Sequence, residues 1–148
     1  MIKERIFKQL ISILNERIEL ARLAIDSAKE SRDNETKSSV GDKYETGRTL
    51  MQMEVEKNRV HLHKNEYLKA ELQNIDFQKK NEKVEFGSLV ITSQNNYFIS
   101  TAIGKIVVDD TVYFCISLAS PIGKQLHNKT IGDNFVFQGS KITITDIL

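Results

Sequence analysis

The sequence predicts an α+β protein: an amino-terminal antiparallel helical hairpin of coiled-coil character, then a small domain of short strands and one helix. Three observations carry that expectation. The chain changes character near residue 83: before it there is no proline and only Gly41 and Gly47, and after it lie five glycines and the single proline. Apolar and small residues near the start recur at alternating steps of 3 and 4, the seam of a two-helix coiled coil. Beyond residue 83, β-branched and aromatic residues alternate with polar ones, the period of a half-buried strand. The domains are therefore drawn as 1–82, with the hairpin tip near 33–42, and 83–148.

The first helix is read over residues 2–32, with Phe7, Leu10, Leu14, Arg17, Ala21, Ala24 and Ala28 on its seam. Alanines toward residue 28 would let a partner helix approach closely. An arm of about 30 residues at 1.5 Å each is roughly 45 Å long. The stretch "SRDNETKSSVGD" holds the turn-prone Asp33, Asn34, Ser38, Ser39 and Gly41. The second helix is read over 43–80, its apolar stripe being Leu50, Met53, Val60, Tyr67, Leu68, Leu72 and Ile75, interrupted by Lys57 and Lys64. Four or five strands follow, from "GSLVITS", "YFISTAIG", "TVYFCISLA" and the pair "FVFQ"/"KITITDI" about Gly139-Ser140. One short helix opens at Ser120, a natural N-cap, with Pro121 in the first helical position.

Composition narrows the function. With 21 Lys plus Arg against 20 Asp plus Glu, the net charge of +1 argues against general nucleic-acid binding through phosphates. The single cysteine, Cys115, excludes an internal disulfide framework and reads as a small core residue, since nothing beside it marks an activated thiol. "MIKERIFKQL" has charges where a signal peptide needs an apolar core, and no uncharged run approaches bilayer length, so a soluble cytoplasmic protein is expected. His61 and His63, two residues apart on a helix, do not face one another, which argues against a shared metal. No phosphate loop, nucleotide fingerprint or Ser/His/Asp arrangement is present.

Two segments are more specific. "ISLASPIGKQLHNKTIGDNFVF" contains Ser120, Pro121, Ile122, Leu126, Lys129, Gly132 and Asp133, and "GDKYE" places Asp42 and Glu45 three apart after Gly41. With a helical hairpin first and a small α+β domain second, the chain carrying these segments resembles the Gre transcript-cleavage factors of bacterial transcription. The resemblance implies an FKBP-like carboxyl-terminal domain docked on the rim of the RNA polymerase secondary channel, with Ser120, Pro121 and Ile122 near the docking surface. It also implies a hairpin inserted in that channel, where Asp42 and Glu45 would help hold a Mg²⁺ ion at the polymerase active centre while backtracked RNA is hydrolysed. Lys37, Lys43 and Arg48 would contact the RNA or the channel. After the glutamate, Gre factors continue Asn-Ala-Glu-Tyr, whereas this chain has Thr46, Gly47, Arg48 and Thr49.

The residue types suit that role. Mg²⁺ prefers oxygen ligands and is commonly held by one or two carboxylates plus substrate phosphates, and positions i and i+3 share a helix face. Each signal also has a plainer reading. Asp42 with Glu45 resembles a capping box, the tip cations interleave with Glu30, Asp33 and Glu35 as on a solvated face, and Ser120-Pro121-Ile122 starts a helix. The expected protein is a monomeric polymerase-binding elongation factor with no metal of its own and no membrane partner. A Gre-like modulator without cleavage activity and a coiled-coil adaptor are the alternatives. Two carboxylates without a pocket make an independent hydrolase the least favoured reading.

Overall fold

The computed structural model describes the backbone of residues 1–38 and 41–148, and the side chains of all of these except 35–38 and 42–44. Two long helices come first, α1 (Ile2–Ser38) and α2 (Asp42–Leu72). The chain forms two compact units: Ile11–Ala70, and Met1–Leu10 together with Glu71–Leu148. The expected boundary at 82/83 falls within the second of these.

In the unit Ile11–Ala70, α1 and α2 run antiparallel. Arg22 meets Glu66, while Arg32, further along α1, meets Gln52, earlier on α2. The buried α1 positions are Leu14, Ile18, Ala21, Ile25 and Ala28. Arg17 is exposed and Ala24 only half-buried, so Ile18 and Ile25 take the seam places expected for them. Burying two isoleucines removes more apolar surface from water than burying an alanine and a guanidinium stem. Of the stripe expected on α2, Leu50, Met53, Val60 and Tyr67 are each more than half exposed, Leu68 is half-buried, and Leu72 and Ile75 are buried as expected. The inner side is formed by Val55, with no accessible surface, and by half-buried Met51, Asn58, Leu62 and Asn65. Val55 and Leu62 pack against Ile25 and Ala28.

The second helix stops at Leu72, short of the expected residue 80. Two reverse turns follow, Asn74 N–H to the Glu71 carbonyl and Ile75 N–H to the Leu72 carbonyl, both 3.1 Å. Asp76 Oδ1 then accepts the Gln78 N–H at 3.0 Å, a side chain–backbone bond that competes with helix. Ile75 is buried, and Phe77 meets Phe7 at a centroid distance of 4.9 Å.

The other unit is built on six strands: β1 (Leu89–Thr92), β2 (Asn96–Ile99), β3 (Gly104–Val108), β4 (Thr111–Ile116), β5 (Asn134–Phe137) and β6 (Ser140–Ile147), with α3 (Pro121–Leu126) between β4 and β5. Their order is β3-β4-β2-β1-β6-β5, with every neighbouring pair antiparallel except β2–β4. This is a mixed sheet, and with the hairpin it makes the α+β class expected. Strand β3 was not anticipated. It is joined to β4 by Asp109 and Asp110 at φ 50° and 64°, a tight turn without the usual glycine. Ile122 and Leu126 of α3 pack with Val90, Tyr97, Ile99, Phe135, Ile142, Ile144 and Ile147 to form one core.

Candidate functional site

The hairpin turn is the first candidate. Gly41 has φ +69° and its carbonyl accepts the first α2 bond, from Glu45 N–H at 3.3 Å. Gly41 therefore occupies the cap place, Asp42 is the first helical residue, and Glu45 ends the first turn with an exposed side chain. Both acidic residues thus belong to one helical turn. The side chains of Asp42, Lys37 and Lys43 lie outside the described residues, as do Ser39 and Val40 altogether. Arg48 is half-buried one turn on.

Further down, Arg32 Nε donates to Asp33 Oδ1 at 3.1 Å and its Nη1 to Gln52 Oε1 at 2.6 Å, while Gln52 Nε2 donates to Glu56 Oε1 at 2.9 Å. Arg32, the cation nearest the turn among the described side chains of α1, is thereby tied into a side-chain network. Below it, Arg22, Ile25, Asp26, Lys29, Arg59, Leu62 and His63 line an open groove of about 370 Å³. Its guanidinium groups are shared with carboxylates, Arg22 with Glu66 and Arg59 with Glu56. His63 Nδ1 stands 3.6 Å from Glu66 Oε2. Among the described residues no three His, Cys, Asp or Glu side chains gather to hold a metal ion.

The segment 120–133 is the second candidate. Ser120 caps α3: its Oγ accepts the Gly123 N–H at 3.1 Å and donates to the Ser117 carbonyl at 2.7 Å. Ile122 is buried in the core and Pro121 is exposed. Of the three residues expected at a docking surface, Pro121 presents most of itself outward. The rest of the motif is structural as well. Leu126 has no accessible surface, Lys129 Nζ lies 5.7 Å from the Phe135 ring centroid, and Gly132 has φ +92°. Asp133 Oδ2 accepts the Thr130 N–H at 2.8 Å and the Thr130 hydroxyl at 3.2 Å. A cap, a turn and a core contact explain each conspicuous residue, so this motif speaks first of fold.

Sequence reasoning passed over Lys3. It is 3% exposed, its Nζ donates to the Lys79 carbonyl at 3.0 Å, and burial holds its amine below the usual lysine range. A cleft of about 230 Å³ beside it is lined by Met1, Ile2, Phe77, Gln78, Lys79, Lys80 and Leu148. Its place three residues before Ile6, on the buried side of α1, was the available signal. Cys115 is fully buried, which pushes its thiol from the usual 9.0 up to about 12 and leaves it no nucleophile. No helix among the described residues is long and apolar enough to cross a membrane. No protein-family model matches the chain, and no curated protein matches it significantly.

Proposed function

We propose that this chain is a Gre-like, cytoplasmic elongation factor that binds bacterial RNA polymerase and stimulates cleavage of backtracked RNA. One observation carries the reading: Asp42 and Glu45 share the first turn of α2, where a helix of 37 residues gives way to one of 31. Two carboxylates on one helical turn suit a metal held by another molecule. Asp42 and Glu45 would supply oxygen ligands, directly or through water, to a Mg²⁺ ion shared with the polymerase, and that ion would stabilise charge on the attacking and leaving oxygens. The chain itself is no enzyme in this reading. Lys37, Lys43 and Arg48 would meet the phosphates of the RNA 3′ segment, and Ser120-Pro121-Ile122 would sit at the channel rim, with Pro121 as the outward contact.

A cleavage assay on stalled, backtracked polymerase tests this. Wild-type chain should shorten the transcript; Asp42→Asn and Glu45→Gln should each lose about 10²-fold of the stimulation while competing for polymerase undiminished. Undiminished cleavage with both variants would remove the metal-assisting role. A second reading, a channel binder that modulates polymerase without cleavage, is favoured by Thr46-Gly47-Arg48-Thr49. A glycine inside a helix costs about 1 kcal/mol relative to alanine, so Gly47 loosens the turn that would have to aim the carboxylates. Polymerase binding without any stimulation by the wild-type chain decides for that reading.

A further inference from the structure

The face of α2 turned away from α1 carries a second seam. Leu50, Met53, Lys57, Val60, Lys64 and Tyr67 follow at steps of 3, 4, 3, 4 and 3, the spacing of the a and d places of a coiled coil. These positions lie on the opposite side of the helix from Val55 and Leu62, which face α1. Leu50 is 54% exposed, Met53 63%, Val60 67% and Tyr67 63%, whereas a helix paired on one side only would carry polar residues there.

We infer that this seam pairs antiparallel with the same seam of a second copy of the chain. The lysines choose the partner and its direction. In a parallel, in-register pair Lys57 would oppose Lys57 and Lys64 would oppose Lys64, two like-charge layers inside an apolar strip. In the antiparallel pair centred between Lys57 and Val60, Leu50 meets Tyr67 of the second copy, Met53 meets Lys64, and Lys57 meets Val60. Each lysine then lays its methylene stem along an apolar residue and carries its ammonium to the edge. The flanks agree with this register: Glu54 comes opposite His61 of the second copy and Glu56 opposite His63, with no acid against acid. The strip is about 27 Å long at 1.5 Å per residue. Such a contact buries on the order of 1,000 Å² in total, the small end of specific interfaces, so the dimer forms reversibly.

Sedimentation velocity on the full chain, up to about 0.5 mM, reads this association. The average mass should climb from 16.9 kDa toward twice that value. Val60→Glu should weaken association at least tenfold, with far-UV circular dichroism unchanged because Val60 is exposed in the single chain. Lys57→Leu with Lys64→Leu should tighten it at least tenfold. Direction is read by mixing Met53→Cys chains with Lys64→Cys chains under mild oxidation; the buried Cys115 stays out of the exchange. Mixed disulfides between the two variants are expected in excess of like-with-like ones. A chain that stays monomeric throughout, leaving the seam to a different protein, overturns the inference. So does a dimer indifferent to Val60→Glu, or one whose disulfides join like with like.

Discussion

Gly123→Ala tests the geometry of the α3 turn most directly. A Cβ built on Gly123 would stand 2.1 Å from the Ser117 carbonyl oxygen, 2.8 Å from Ser120 Oγ and 3.0 Å from Leu118 Cα, and real Cβ atoms essentially never come within 3.0 Å. The carbonyl must withdraw by nearly an ångström. It accepts the Ser120 hydroxyl at 2.7 Å and the Ser120 N–H at 3.2 Å, and the same hydroxyl accepts the Gly123 N–H at 3.1 Å. Losing two or three such bonds costs about 1 kcal/mol each. Pushing the backbone against Ile122 and Leu126 adds about 1–3 kcal/mol of overpacking. The expected loss is about 3–6 kcal/mol, a fall in Tm of about 10 °C or more for a chain of this size. Urea titration followed by near-ultraviolet circular dichroism suits the measurement, because Tyr97 and Tyr113 are buried in this unit. Gly139→Ala is the control. It has φ +79° with nothing within 4 Å of the added carbon, so backbone strain alone should cost about 1–2 kcal/mol. A Gly123→Ala cost no larger than the control would refute the close approach.

Two further expectations concern the same unit. Cys115 should resist thiol reagents at pH 8 in the native chain and react once per chain in urea, since its thiol is pushed up to about 12. Its folded value is raised, so its contribution to stability is whole below pH 9 and falls by about 1.4 kcal/mol per pH unit above that, until the folded thiol ionises near pH 12. Comparing wild type with Cys115→Ala along the alkaline limb isolates the effect; parallel limbs would contradict it. Asp110→Gly removes a side chain from a residue at φ 64° and should raise stability by about 1 kcal/mol, seen as a higher Tm; a lower Tm would contradict the left-handed conformation.

The fold class was legible because it depends on periodicity, and periodicity survives errors of register. The register itself was not. On α2 two stripes compete, one with Leu50, Met53, Val60 and Tyr67 and the other with Val55 and Leu62 separated by asparagines. Counting apolar residues selects the first, while packing against Ile25 and Ala28 selects the second. The same competition hid Ile18 and Ile25 behind an alanine-rich seam. Strand β3 escaped because Asp109-Asp110 lacks the glycine that announces a two-residue turn. The end of α2 escaped because the helix gives way to reverse turns at Glu71–Ile75 that no proline or glycine announces. At the candidate sites, sequence gave the neighbours along a helix, so Asp42 with Glu45 was legible; it gave no means of seeing that Ser120, Ile122, Leu126 and Asp133 are each occupied in holding their own segment.

The β-containing unit is discontinuous in the chain, its first ten residues parted from the remainder by Ile11–Ala70. During synthesis the intervening segment leaves the ribosome complete while its host still lacks every strand. Lys3 must wait for the Lys79 carbonyl and Phe7 for Phe77, contacts 76 and 70 positions away in sequence. Local pairing of α1 with α2 can proceed at once, whereas closure of the host is a long-range event and correspondingly slow. The order of maturation is thus written into the chain: the inserted hairpin first, and the unit that carries it only when translation has delivered the last strand.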